Sequence, residues 1–482
     1  MKILYHLTQI QLLIVFFILG VGYGQSDEKR TNITLKYGAE RIGKRTDQPM
    51  QDWRNYGLGQ FIHWGVYAIP GGHWNGKYYA GAAEWIRSWE GMPNEAYDNL
   101  YKEFNPKNFN ANAWAKQAKE LGAKYVIITT KHHDGFCLWP SEYTDYTIAN
   151  TPYKKDIIGA LVEAYDKQGI DVYLYFSIID WNHFGYKSKL VTDKDRTDYE
   201  VFKEFTRNQL IELLTRYPET KGLWFDGTWD AAWKEQASYV YDLDKELREM
   251  IPGLIIGSRF RPDDYGNRHF DANGNMMGDY EQGWERKMPN TIEEVHGNDW
   301  DCVMTIPENQ WGYHSDWRGH VKTSNELIEM LVKAVALDGN FVLNFGPDGL
   351  GTIRKEETKL AKQVGEWMKV NSTAIYNCGY LDWEKQDWGY FTTNRITQEK
   401  YMVVFNQPIS GVYTVKTKKG VSIEKAYLLD NPGLELSIEK TYNNEFLIQY
   451  NPENHPEEPF VMVIETNKDQ NNSDNQYLQP KI

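Results

Sequence analysis

Between about Gly57 and Ser372, short apolar runs alternate with segments in which apolar residues recur every three to four positions. The runs predict strands over Gly59–Tyr67, Lys124–Thr130, Asp171–Ile179, Gly222–Asp226, Leu254–Phe260, Asn275–Glu281, Cys302–Ile306 and Asn340–Pro347. The intervening periodicity predicts helices over 110–122, 156–169, 202–218 and 325–339. Each of them ends at a Gly or Pro. Connections after the fifth to seventh strands read as loops. Eight strands alternating with helices predict an α/β fold, a (β/α)8 TIM-like barrel. An open doubly wound sheet is the competing topology, but no Gly-rich phosphate turn follows the first strand.

After Ser372 the period drops to two, with turn residues between short runs, which predicts a C-terminal antiparallel β-sandwich of about eight strands. At the other end, Leu12 to Val21 form an apolar run too short to span a bilayer, followed by Gly22-Tyr23-Gly24. The expected organisation is a signal peptide over 1–24, a catalytic barrel over 25–372, a sandwich over 373–466 and a disordered polar tail over 467–482. The expected destination is the periplasm or the medium, with no membrane attachment after signal cleavage.

Aromatic residues make up 15% of the 482 residues, with 18 Trp and 33 Tyr. Flat rings of this kind stack on the apolar faces of sugars while their polar edges hydrogen-bond. The net charge of −14 and the lack of a basic stripe argue against nucleic acid as a partner. A local basic pocket inside an acidic surface stays compatible with anionic substrates. Three widely spaced cysteines, Cys137, Cys302 and Cys378, form neither a disulfide framework nor a metal clip, and read as packing residues.

Chemistry in such barrels gathers at the C-terminal ends of the strands. The expected ends carry His63 and Trp64, then Lys131 to Asp134, Asp180 and Trp181, Asp226, Arg259 and Asp279 to Glu281, with Trp300 and Asp301 near the seventh strand. An Asp-Gly pair such as Asp226-Gly227 on its own reads as a turn. A carboxylate at a strand end among histidines and tryptophans points instead to glycoside hydrolysis by two carboxylates. A zinc hydrolase is the alternative, with His63, His132 and His133 as ligands. Adjacent histidines on an extended chain face opposite sides, and no His-x-His motif is present, so no metal and no other cofactor is expected.

The segments "GQFIHWGVYAIPGG", "AEWI", "KHHDGFCLWPSEYTDYT", "YFSIIDW", "LWFDG", "NQWGYH" and "LDGNFVLNFGPDGLGTI" together resemble the retaining α-L-fucosidases of glycoside hydrolase family 29, from about Trp53 to Tyr376. The resemblance implies an exo-acting fucosidase with Asp226 as nucleophile. It also implies a sugar pocket lined by His63, Glu84, Trp85, His132, His133, Tyr175, Trp224 and Arg259. The acid/base is less determined. Glu285 is favoured as the match to the family's "TPE" glutamate, read as lying in a loop and buried against Trp284. Asp301, where the family has glutamate, and Glu281 are alternatives, with Glu84 more remote. The implied partners are fucosylated oligosaccharides, glycoconjugates or fucose-rich polysaccharides. Competing readings keep the fold but act on α-L-galactosides or on fucans, sulfated or not, or bind fucose without catalysis.

Overall fold

A computed structural model of the chain describes residues 35–442, 444–450 and 457–467; the expected signal peptide and the tail from residue 468 lie outside them. Eight parallel strands form the N-terminal sheet: β1 Leu58–Ile62, β2 Tyr125–Lys131, β3 Asp171–Ser177, β4 Gly222–Asp226, β5 Ile255–Ile256, β6 Glu281–Glu285, β7 Trp300–Thr305 and β8 Asn340–Phe345. Their order is β5-β4-β3-β2-β1-β8-β7-β6. Between β5 and β6 the ladder is carried by two backbone bonds, Asp279 N to Ile256 O (2.8 Å) and Ser258 N to Tyr280 O (3.0 Å). The sheet is thus a TIM-like barrel, not an open sheet.

Alternation along each strand sorts its residues. Phe61, Tyr125, Ile127, Tyr173, Tyr175, Trp224, Val303 and Val342 share one cluster in the bore. Their neighbours Ile62, Val126, Leu174, Phe225, Met304 and Leu343 join the larger core beneath the helices. Inward positions at the strand ends therefore follow from phase: Tyr175 and Ser177, Trp224 and Asp226.

Local chemistry sets the helix limits. The helix Ala111–Leu121 starts at Asn110, whose side chain accepts from Ala113 N, and stops at Gly122 in the left-handed region. The helix Asp193–Arg216 begins nine residues before the expected stretch, because Thr192 and Asp195 form a capping box. Ser324–Ala336 has a second such box at Thr323 and Glu326 and matches the helix expected over 325–339, after the loop expected beyond the seventh strand. The fifth and sixth strands are followed by loops, with only a single-turn helix, Ile292–Val295, after the sixth.

Three strand expectations fail, the fifth strand keeping only Ile255–Ile256 of Leu254–Phe260. The first strand ends at Ile62 rather than Tyr67, because Val66–Ala68 coil into a 3-10 turn. The sixth runs over Glu281–Glu285, not 275–281. Upstream, Asp263 takes the amides of Tyr265, Asn267 and Ala272, and Asp271 takes those of Asn273 and Asn275. These local bonds hold 263–275 in turns, outcompeting a ladder.

Beyond the helix Lys355–Asn371, the antiparallel strands from Cys378 to Thr466 form a six-stranded and a three-stranded sheet. Asn431–Glu435 and Ser437–Lys440 are strands that the expected pattern lacked. In the six-stranded sheet, Met402, Val404, Met462 and Ile464 face the other sheet, joining Tyr413, Val415 and Ile448. Tyr401, Val403, Val461 and Val463 face the barrel's core. All three cysteines are free and buried. Among the described residues no helix is long and apolar enough to cross a membrane.

Candidate active site

Asp226 closes β4 pointing inward, two positions beyond Trp224 on the same face. Gly227 follows at φ 72°, and a Cβ there would meet Ile179 N at 2.8 Å, so the turn needs glycine. The Asp226 carboxylate accepts Tyr175 Oη (3.0 Å) on Oδ2 and Arg259 Nη1 (3.0 Å) on Oδ1. The second arm of the same guanidinium, Nη2, reaches Glu285 Oε2 at 2.6 Å. Arg259 is itself anchored by Nε to Gln282 O (2.9 Å) and lies 4.8 Å over the Trp224 ring. Burial opposes its charge, but Glu285 and Asp226 outweigh burial and raise its pKa. The absent side chain of Gly257 leaves the space that the Gln282 amide fills.

Three buried histidines line the opposite wall. Asn344 donates from Nδ2 to Trp311 O (2.7 Å), which turns its Oδ1 to His63 Nδ1 (2.7 Å). Since that oxygen only accepts, His63 donates from Nδ1 and keeps Nε2 as an acceptor. His133 is fixed in the same way. Ser177 gives its hydroxyl proton to Ile179 O (2.8 Å) and accepts from His133 Nδ1 (2.6 Å). His133 Nε2 then sits 3.7 Å from Asp226 Oδ2. Burial pushes both imidazoles down to about 3, and pushes His132 well below its usual value. All three are neutral hydrogen-bonding groups near pH 7. His132 Nδ1 is buried without a partner.

The rings of His132 and His133 are 4.3 Å apart, so they do not face opposite sides as expected. The ladder ends at Lys131, and the chain leaves the extended form before the pair. Among the described residues no group of three or more His, Cys, Asp or Glu could hold a metal ion.

Glu84 is fully buried on the 3-10 turn Ala83–Ser88. Its Oε2 accepts from Gly312 N (2.9 Å), its Oε1 has no partner, and burial pushes its carboxyl up to about 7. Trp85 stands edge-on to His133 at 4.9 Å. Phe61, Tyr175, Trp224 and Trp311 complete an aromatic floor: Phe61 lies 5.8 Å from Tyr175, 5.1 Å from Trp224 and 6.3 Å from Trp311.

The acid/base candidates separate cleanly. Glu285 is the last residue of β6 rather than a loop residue, and it faces inward in register with Val303. It is not buried against Trp284. That neighbour faces outward, 6.0 Å from Trp300. Glu281 opens the same strand opposite Trp300, and a bulge puts it on the outer face near Trp284, His296 and Lys287. Asp301 faces inward but pairs with Asn340 at the start of β8, away from the rim. It lies two residues before Val303, about 6.6 Å lower along the strand. Burial pushes its carboxyl up to about 8.

Sequence reasoning missed Asn344, Ser177, Phe61 and Trp311. Asn344 and Ser177 had a readable signal, since each is a polar residue near the end of an apolar strand.

A family model described as Alpha-L-fucosidase matches residues 26–373. Among curated proteins, the chain is similar to the alpha-L-fucosidase of Dictyostelium discoideum, 29% identical over 459 residues, covering 89% of this chain and 93% of the relative. It is similar to the tissue alpha-L-fucosidase of Homo sapiens at 28% identity, covering 80% and 82%. Among solved structures, it is similar to a GH29 alpha-L-fucosidase from Bacteroides thetaiotaomicron at 50% identity. That match has a TM-score of 0.88 and covers 90% of this chain and 100% of that one. The isoenzyme 1 of Paenibacillus thiaminolyticus follows at 30% identity and a TM-score of 0.74, covering 87% and 99%.

Proposed function

The chain belongs to the alpha-L-fucosidase family, GH29, and is a glycoside hydrolase; from that premise we propose that it releases terminal α-L-fucose from glycans by double displacement. Asp226 attacks the anomeric carbon and Glu285 protonates the leaving oxygen, then deprotonates the incoming water. The observation that carries this reading is the shared guanidinium, with Asp226 at 3.0 Å and Glu285 at 2.6 Å from two nitrogens of Arg259. A retaining pair works at short range across the anomeric carbon, and the two terminal nitrogens of one guanidinium gather these two carboxylates at one place. The related Bacteroides thetaiotaomicron enzyme, described as a trapped covalent intermediate with 2-fluoro-fucosyl fluoride, supports the same course here.

The remaining walls suit the sugar. The free Nε2 atoms of His63 and His133 accept from sugar hydroxyls, as does Glu84 through its unpartnered oxygen, while His132, with Nδ1 unpartnered, offers one donor and one acceptor nitrogen. The floor of Phe61, Tyr175, Trp224 and Trp311 shelters the fucose methyl. Export by residues 1–24 places the activity outside the cytoplasm. The test is proton NMR of fucose released from an aryl α-L-fucoside. The α-anomer appears first if the mechanism retains, and a β-anomer as first product overturns double displacement.

A further inference from the structure

Behind the histidine wall, the ends of β2 and β3 are joined by an ion pair sealed off from water. The Lys131 and Asp180 side chains are 0% and 2% exposed and meet at 3.0 Å. Lys131 Nζ also donates to Gln209 Oε1 (3.0 Å) on the helix Asp193–Arg216, and lies 4.4 Å from the Phe176 ring centroid. Such a pair is costly to desolvate, and apolar residues of similar volume are often as stable in its place. Its presence therefore asks what it holds.

What it holds is the backbone around His133. Asp180 Oδ1 accepts from Asn182 N (3.1 Å) and His183 N (3.0 Å), which turns the chain after β3. In that turn Trp181 N donates to His133 O (2.9 Å). On the β2 side, Gly135 at φ 84° leaves room that a Cβ would fill 2.2 Å from Asp180 Oδ1. Ser177 Oγ holds the ring at Nδ1 (2.6 Å), so His133 is gripped by ring and backbone from the end of β3. Asp180 ties that end to β2. His133 Nε2 stands 3.7 Å from Asp226 Oδ2. In a sugar whose anomeric carbon meets Asp226, the neighbouring hydroxyl is the one on C2, and hydrogen bonds to it strengthen in the transition state.

We propose that Lys131 and Asp180 are positioning residues for the reaction, which set His133 Nε2 to receive the 2-hydroxyl as the bond at the anomeric carbon breaks. The inference rests on the fucosidase reading and adds to it two residues that touch neither the sugar nor the nucleophile.

The double variant Lys131→Met with Asp180→Asn tests it. Both charges go together, and an oxygen remains for the amides of Asn182 and His183, so no unpaired charge is left buried. The variant should melt within a few degrees of wild type. On an aryl α-L-fucoside its kcat should fall about tenfold with KM little changed, as for an interaction made in the transition state. On the matching 2-deoxy-fucoside it should keep nearly all of the wild-type rate. Nitrogen NMR of isotope-labelled histidine reads the same hold without substrate. The His133 signal, identified by its loss in His133→Asn, should show the proton fixed on Nδ1 in wild type and exchanging tautomers in the variant. An unchanged kcat, an equal fall on both fucosides, or a wild-type His133 signal in the folded variant overturns the proposal. If the double variant does not fold, Gln209→Leu removes the second acceptor of Lys131 and should show the same selective loss on a smaller scale. Absence of that loss is equally decisive. A wild-type enzyme that fixes the His133 proton yet releases no fucose from the aryl fucoside would instead sink the fucosidase reading.

Discussion

Strands β1 to β4 and strands β5 to β7 serve one pocket by different means. In the first group, longer ladders set the phase of each strand: β2 pairs with β3 from Tyr125 to Lys131, with one register shift between Thr129 and Lys131, and β3 with β4 from Tyr173 to Ser177 without a break. Tyr175, Ser177 and Asp226 then reach the pocket because they sit at even spacing from inward-facing residues. In the second group β5 has two residues and β6 contains a bulge. There the side chains are held by other side chains, with Ser258, Gln282 and His269 bracing Arg259 and its loop. A ladder-built wall tolerates loss of one neighbour better than a wall built from mutual side-chain bonds.

The sharpest break of this comparison is at Asp226. Asp226→Ala should lose about 10⁴-fold or more in kcat on an aryl fucoside, as removal of a covalent nucleophile does. Its far-UV circular dichroism and melting temperature should stay near wild type, because β4 is held by its ladder. Retention of ordinary turnover in the folded variant would remove Asp226 from the nucleophile's role.

Glu285 probes the side-chain-built wall. Glu285→Ala should cost about 10²–10⁴-fold on fucosides with poor leaving groups and much less on activated aryl ones. Azide should restore turnover and yield the α-fucosyl azide, since the β-linked intermediate on Asp226 still forms and azide displaces it with a second inversion. It should also loosen Arg259, which loses a 2.6 Å partner, so the melting temperature should fall further than in Asp226→Ala. Equal loss on both substrate types, with no azide product, would assign the proton elsewhere.

How much of this was legible in the sequence follows the same division. His63, His132, His133 and Asp226 were readable because apolar runs announce their strands, and the rim lies where those runs end, whereas Tyr175 and Trp224 followed only from the family resemblance. The β6 region was not. The stretch from Asn275 to Glu281 has apolar residues at strand-like spacing, but Asp263 and Asp271 capture the amides of the preceding loop, a competition that periodicity does not register. Glu285 was therefore placed in a loop, and Asp301 near the rim. The imidazole braces were legible in principle. Ser177→Ala frees His133 Nδ1 from its 2.6 Å acceptor and should lower kcat/KM by about tenfold, through the loss of one hydrogen bond that orients the ring. A melting temperature within a few degrees of wild type should accompany it, and an unchanged kcat/KM would show that the ring is held by packing alone.

The smallest expected effect separates Asp301 from the chemistry. Its carboxyl is buried one inward layer below Glu285, with Oδ2 unpartnered, and burial pushes it up to about 8 from a model-compound value of 3.8. A raised carboxyl contributes stability that is fully present below the unfolded value and lost as pH climbs toward the folded one. Between about pH 4 and pH 8 the unfolded chain releases this proton while the native chain keeps it, so unfolding is favoured progressively. The histidines oppose this trend. His63 and His133, at about 3 folded against 6.5 unfolded, cost stability as pH falls below 6.5. Asp301→Asn removes the first dependence and leaves the second. Its melting temperature should match or exceed wild type's, with the gain growing from pH 5 to pH 8 and levelling off beyond it. Its kcat/KM on a fucoside with a poor leaving group should stay within about tenfold of wild type, because an amide preserves the shape below Arg259 but carries no transferable proton. If instead that substrate loses turnover about 10²-fold or more while an activated aryl fucoside keeps it, the proton comes from the lower layer of the bore and Glu285 is only a partner for Arg259.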